Sequence, residues 1–244
     1  MRVAAVVHAK GKSERLPNKN LRKLGGKPLI CHAIKNACDA KLVNDVYIDS
    51  EDDIILKVGI ACGAKPLKRP QYLANNFITG DDLAYWQAQS LPQYDIIVQV
   101  VPTSPFIKPK TIDECIGNVV TGYNSSFTAT SEKLYTWSKK HPTESLTPDY
   151  YKDGKLLNSK ELPYTFVEHT GLYAFKTKYA FENKKRIDPN NFRGVPINYI
   201  EAVDINYESD FEIAEVIWKG LHDSKTSTKV DEDLLRAMVR ASII

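Results

Sequence analysis

Ala9-Lys10-Gly11-Lys12-Ser13-Glu14-Arg15-Leu16-Pro17-Asn18-Lys19-Asn20 follows an apolar run, Val3 to Val7, and precedes a helix expected to open at Pro28. The run is short and continuous, which suits a strand covered on both faces. Between Ala9 and Lys27 stand seven basic residues (Lys10, Lys12, Arg15, Lys19, Arg22, Lys23, Lys27) against one acid, Glu14. The whole chain carries only +3, so the loop holds far more than its share of positive charge. A glycine-bearing, cation-dense loop between the first strand and first helix of an α/β sheet is where backbone N–H groups and a helix N-terminus meet phosphates. Two phosphate loops are excluded by spacing. A P-loop needs a glycine five positions before Gly11, where Val6 stands, and a dinucleotide fingerprint needs a G-x-G that the loop lacks.

Outward from the loop, strand and helix patterns alternate. Pro28 can take the first helical position, and Leu29, Ile30, Ala33, Ile34, Ala37 and Cys38 recur at helical spacing. Asp45 to Asp49 reads as a strand, Asp52 to Cys62 as a helix ended by Gly63, and Lys65 to Pro70 as a basic extended piece. A helix over Asp81 to Ser90 leads to the clearest strand, Tyr94 to Val101, which stops at Pro102-Thr103-Ser104-Pro105. Lys110 to Thr121 reads as a helix and Ser125 to Thr130 as a strand. Strand character returns at Gly171 to Phe175 and Ile197 to Ile205, before a helix from Ser209 to Leu221. The expected fold is α/β: a three-layer, Rossmann-like, mostly parallel sheet with helices on both faces. Residues 1–222 form the main domain, and residues 223–244 a linker and a C-terminal helix. The rhythm breaks from Glu132 to Glu168, a stretch with Tyr135, Trp137, Tyr150, Tyr151, Tyr164 and several prolines. So long a structureless loop is uncommon in a compact domain, so residues 132–168 are expected to be an inserted arm packing on a second subunit.

Composition is that of a soluble globular protein, with 43% apolar and 26% charged residues among 244. A net charge of +3 does not argue for nucleic acid or a membrane as partner. No apolar stretch approaches the roughly 18 residues of a membrane span, and Met1 to Val7 has no signal-peptide pattern. A cytoplasmic setting is expected. Cys31, Cys38, Cys62 and Cys115 sit in apolar helical patterns without metal or disulfide spacing, and read as reduced core residues.

The spacing Gly11, Ser13, Arg15, Pro17, Lys19 resembles the signature loop of sugar nucleotidyltransferases. With Leu24-Gly25-Gly26-Lys27-Pro28-Leu29-Ile30 added, it is similar to the opening of the acylneuraminate cytidylyltransferases, the CMP-sialic acid synthetases and their relatives that activate other 3-deoxy-2-ulosonic acids. Ile48-Asp49-Ser50-Glu51-Asp52, Lys68-Arg69-Pro70, Pro102-Thr103-Ser104-Pro105 and Val203-Asp204-Ile205-Asn206 with Asp210 continue the resemblance in register.

The resemblance implies transfer of CMP from CTP to the anomeric hydroxyl of an acidic sugar, with magnesium as cofactor and a homodimer as the assembly. It implies catalytic roles for Lys19, Arg15 and Asp204, and CTP contacts from Lys10, Gly11, Ser13, Asn20 and Arg69. It places the sugar against Gln99, Thr103, Ser104, Glu168 and His169, and the metal on Asp204 and Asn206. On spacing alone, Asp204 reads as a helix cap or surface carboxylate and His169 as a structural histidine. The chain departs from the family pattern at Lys10 (usually arginine), Asn206 (usually aspartate), Val101 (usually glutamine), Ile107 (often arginine) and Glu168-His169-Thr170. Lys10 keeps the charge but loses the bidentate fork of arginine. These departures leave two alternatives: a nucleotidyltransferase for a sugar phosphate or polyol phosphate, and a nucleotide-binding homologue without catalysis.

Overall fold

The structure, a computed structural model, describes residues 1–139, 141 and 143–222; the expected linker and C-terminal helix lie outside the described residues. Its centre is a seven-stranded sheet. In chain order the strands are β1 (Val3–His8), β2 (Asp45–Ser50), β3 (Lys65–Lys68), β4 (Ile96–Val100), β5 (Ser125–Glu132), β6 (Thr165–Lys176) and β7 (Phe192–Pro196). They lie side by side as β7-β5-β6-β4-β1-β2-β3. Every pairing is parallel except those of β6, which runs antiparallel to both β4 and β5.

Among the described residues, helices α1 (Leu29–Asp39), α2 (Asp53–Ala61), α3 (Gly80–Ser90), α4 (Pro109–Val120) and α5 (Thr177–Asn183) lie between these strands, and α6 (Glu208–His222) follows the last of them. Local chemistry sets several of their starts. Asp52 caps α2 by accepting from the Ile54 and Ile55 N–H groups at 2.7 and 3.0 Å. Thr79 and Asp82 form a reciprocal capping box on α3. Pro109 occupies the first turn of α4. Odd positions of β1 (Val3, Ala5, Val7) pack with Ile30, Ile34, Ile55 and Ile112 from α1, α2 and α4. The even positions Ala4 and Val6 face Ala84 and Ala88 of α3 and Ala180 of α5. The three expected layers follow from this alternation.

The chain leaves β1 toward β2 and β3, then returns to lay β4 on the other side of β1. The crevice at the C-terminal ends of β1 and β4 is therefore the topological switch point, where open α/β sheets bind ligands. A separate apolar cluster closes one side of it. Leu16 from the basic loop, Leu24, Leu29, Val203, Ile205, Phe211 and Ile217 pack together. Each such aliphatic side chain stabilises by about 1.5–3 kcal/mol on burial. The cluster ties the loop to the segment that carries Asp204.

Four expectations need correction. Ile197 to Ile205 is not a strand: the sheet edge is Phe192–Pro196 instead, and Asn198 accepts from the Glu201 N–H at 3.0 Å to turn the chain away. Helix α5, only seven residues long, was not expected. The arm gives up its end to β6, where Thr165 pairs with Glu132 and Glu168 with Ala129. Finally, Cys31 and Cys62 are joined in a disulfide with Cα atoms 5.5 Å apart, and Cys38 is exposed; of the free cysteines, Cys115 alone is buried. The bridged cysteines are 31 residues apart, and only the packing of α1 beside α2 brings them together.

Candidate active site

The switch-point crevice opens into a cleft of about 550 Å³. Its walls come from the end of β1 (His8, Ala9), the basic loop (Lys10, Ser13, Arg15, Lys19, Asn20), the segment from Arg69 to Ile78, and the turn after β4 (Val101 to Thr103). Seven of the expected site residues line it: Lys10, Ser13, Arg15, Lys19, Asn20, Arg69 and Thr103.

The loop is held by its own polar groups. Asn20 is buried, and its Nδ2 donates to the Lys10 carbonyl at 2.9 Å, drawing the loop's two ends together. Asn18 takes a left-handed conformation (φ 53°) and its carbonyl accepts from the Leu21 and Arg22 N–H groups. Lys10 donates to Asn76, which in turn donates to Glu14, so a segment far along the chain braces the loop. Gly11 donates its N–H to Glu51 at 2.7 Å, and a Cβ there would stand 2.7 Å from the Asp52 carboxylate. The loop thus approaches the start of α2 closely at this position.

Lys19 projects toward the turn before α6. Its Nζ donates to the Ile205 carbonyl at 2.8 Å and to Asn206 Oδ1 at 3.4 Å. Burial lowers its pKa; Asp204 and Asp210 oppose that, while Arg15 and Lys10 add to it. The ammonium thus sits among two cations and two carboxylates, and of these charges Asp204 acts on it most strongly. Asp204 accepts from the Thr103 hydroxyl on one oxygen and from Asn206 Nδ2, at 2.7 Å, on the other. Asp210 accepts from the N–H groups of Asn206 and Tyr207, both at 2.8 Å, and locks this turn at the start of α6. The expected metal ligand Asn206 therefore turns its oxygen to Lys19 and its NH₂ to Asp204. A carboxylate demands a donor and an ammonium an acceptor, and the amide supplies both.

Beneath the cleft lies a buried polar chain that sequence reasoning missed. Arg69 donates from Nε to Asp49 Oδ1 at 2.7 Å and from Nη2 to the Asp49 carbonyl at 3.0 Å. Gln87 of α3 donates to the other Asp49 oxygen at 2.7 Å and accepts from Gln99 at 3.0 Å. Gln99 accepts from Arg186 at 3.2 Å, and the Arg186 guanidinium lies 3.6 Å over the Tyr173 ring. Burial raises the Asp49 pKa, and Arg69 opposes the rise. The expectation that Gln99 meets the sugar is corrected here. Gln99 is fully buried and both ends of its amide are spent on Gly80, Gln87 and Arg186.

The other expected sugar residues lie around β6. Ser104 is buried against Gly171, where a Cβ would come within 2.6 Å of the serine oxygen. Glu168 accepts from the Tyr173 hydroxyl, and His169 shares a 3.0 Å hydrogen bond with Thr130. Burial lowers the His169 pKa, while Asp204 and Glu132 pull it up, so its ring stands within electrostatic reach of Asp204. No grouping of three or more His, Cys, Asp or Glu side chains suited to a metal occurs among the described residues. No helix among them is long and apolar enough to cross a membrane.

A switch-point cleft with a cation-dense loop on one wall and a strand-end turn on the other defines a nucleotide-handling α/β protein. Residues 4–222 match the family model described as cytidylyltransferase, and the chain belongs to that family. It is 28% identical over 226 residues to the CMP-N,N'-diacetyllegionaminic acid synthase of Legionella pneumophila, covering 88% of this chain and 95% of that one. It is 26% identical over 219 residues to N-acylneuraminate cytidylyltransferase A of Danio rerio, covering 87% of this chain but spanning only 50% of that protein. Among solved structures, a CMP:2-keto-3-deoxy-manno-octonic acid synthetase complexed with CTP superposes with a TM-score of 0.65 at 16% identity, covering 89% of this chain and 98% of that one. That likeness supports the fold.

Proposed function

We propose that this protein transfers CMP from CTP to the anomeric hydroxyl of an acidic 3-deoxy-2-ulosonic sugar and releases pyrophosphate. The observation that carries the reading is the meeting of Lys19 with the Asp204 turn at the rim of the switch-point cleft. The cations Lys10, Arg15 and Lys19 on one wall are placed to neutralise a triphosphate. As the sugar hydroxyl bonds to the α-phosphorus, the bond to the bridging oxygen breaks and pyrophosphate leaves with the electron pair. The hydroxyl proton passes to solvent water in the same transfer. Charge then builds on the α-phosphate oxygens, where a fixed ammonium stabilises it most. The names of the relatives support an acidic sugar, and Thr103, Ser104, Glu168 and His169 are its proposed neighbours.

The residues present fit magnesium. It takes one or two carboxylates and completes its shell with water and substrate phosphate, and Asp204 is such a carboxylate at the cleft's edge, steered by Thr103 and Asn206. Bound there, the ion would supply Lewis-acid neutralisation of the triphosphate. CTP as substrate supports a cytoplasmic setting, while the Cys31–Cys62 bridge is the feature that speaks against a fully reducing one. The test is pyrophosphate release from CTP with N-acetylneuraminic, legionaminic, pseudaminic and 3-deoxy-manno-octulosonic acids. Turnover with one of them, abolished by EDTA, is expected. Silence with all of them, or equal use of ATP, would refute the assignment.

A homodimer built on the arm is part of the proposal. Tyr135, Trp137, Tyr151, Tyr164 and Phe166 are each more than half exposed, which is costly for aromatic residues unless something covers them. Light scattering in solution should give twice the chain's 27.5 kDa. A clean monomer mass would count against the arm as an interface.

A further inference from the structure

His8 ends β1 on the face that carries Ala4 and Val6, and its ring lines the cleft. Its position is unusual in chemical terms. Asp49 stands beside it on β2, yet that carboxylate is spent on Arg69 and Gln87. His8 Nδ1 is closed off from solvent and has no hydrogen-bond partner among the described residues. Burial, with Arg69 and then Arg186 adding to it, pushes the imidazole pKa down to about 3, so the ring is neutral at any working pH. A neutral imidazole carries one N–H and one lone pair. Buried N–H groups without partners are rarer than buried acceptors without them. The lone pair therefore falls on the enclosed Nδ1, and the proton on Nε2.

The rest of the cleft says what meets that edge. One wall is the cationic loop, which suits the phosphates. The cleft is also lined by Leu73, Ile78 and Leu83, apolar surfaces suited to a flat ring, and by Arg69. Arg69 spends two of its N–H groups on Asp49, and those remaining are uncommitted among the described residues. His8 and Arg69 thus line the same cleft, near enough for the Arg69 charge to act on the imidazole.

We infer that His8 selects the base of the bound nucleotide: its Nε2–H and the free N–H groups of Arg69 form a donor pair for the adjacent O2 and N3 acceptors of cytosine. Uracil carries a hydrogen on N3, which sets donor against donor. The inference rests on the CTP-dependent reading above and assigns a residue that nothing in the loop motif contains.

Calorimetry of CTP, UTP and 2′-deoxy-CTP binding, without sugar, tests it in wild type, His8→Leu and His8→Asn. Wild type should favour CTP over UTP. His8→Leu should weaken CTP about tenfold and leave UTP unchanged or tighter, because a donor set against the uracil N3–H is gone, so that selectivity falls. The same variant removes an unpaired buried nitrogen, so its melting temperature without nucleotide should hold or rise. Weaker binding with an undiminished fold is an outcome that a merely structural histidine would not produce. His8→Asn keeps an N–H donor on a shorter side chain and should recover part of the selectivity; if His8→Leu fails to fold, this variant carries the test, and full loss of CTP binding in it overturns the assignment. Unchanged CTP-over-UTP selectivity in His8→Leu overturns it as well. So does a loss seen with CTP but not with 2′-deoxy-CTP, which would place His8 on the ribose. Wild type that binds no nucleotide at all would remove the transferase reading and this inference with it.

Discussion

Replacing Lys19 with alanine is expected to lower kcat by about 10²–10³-fold, the cost of removing one preorganised donor from a developing charge. Three features single out this lysine among the loop's cations. It is pinned between the Ile205 carbonyl and Asn206, so its ammonium is fixed before substrate arrives. Its pKa is lowered by burial, so its charge is poorly hydrated and acts strongly on a neighbour. It also joins the loop to the Asp204 turn, across 186 residues of sequence. Single-turnover measurement with saturating CTP separates this effect from weaker binding. The fold should survive, since the hydrogen bonds lost are each worth about 1 kcal/mol. Lys19→Arg should retain part of the rate. A near-normal rate in Lys19→Ala would break the proposed mechanism.

The largest expected effect on stability is at Asp49, fully buried beneath the cleft. Asp49→Ala leaves the Arg69 guanidinium, with a side chain only 3% exposed, without its counter-charge. Stranding a buried charge in this way costs about 3–5 kcal/mol. For a chain of this size that lowers the melting temperature by roughly 10 °C. Gln87 loses its acceptor as well, and the polar chain to Gln99 and Arg186 loosens from one end. Asp49→Asn keeps an acceptor for one donor and should cost distinctly less. Denaturant titration of the three proteins gives the comparison, and an Asp49→Ala midpoint equal to wild type would show that Arg69 finds another partner.

The two residues differ in how far they could be read from the chain. Lys19 was legible because a loop motif is local: charge density, one glycine and a proline are visible without any fold. Asp49 and Arg69 stood in recognisable short stretches, but their pairing was not, since a strand residue and a loop residue 20 positions apart meet only when β2 and β3 lie side by side. Arg186 and Gln87 carried no signal at all. Their neighbours in sequence are ordinary helix and loop residues, and their partners Asp49 and Gln99 come from β2 and β4. The burial of Gln99 is hidden from the sequence for the same reason. A glutamine near the end of a strand faces a cleft or a core according to the helix laid over it, and α3 covers this one.

The alternation of strands and helices, the basic loop after β1 and the proline turn after β4 were determined by the sequence itself, because hydrophobic period and turn chemistry are local properties. The tertiary structure alone decided what those pieces face. It buried Gln99, turned the Asn206 amide between Lys19 and Asp204, bridged Cys31 to Cys62, and set in the cleft wall a His8 whose Nδ1 has no partner among the described residues. Each of these depends on contacts between residues distant in the chain, and such contacts form only after the sheet order has brought the strand ends together.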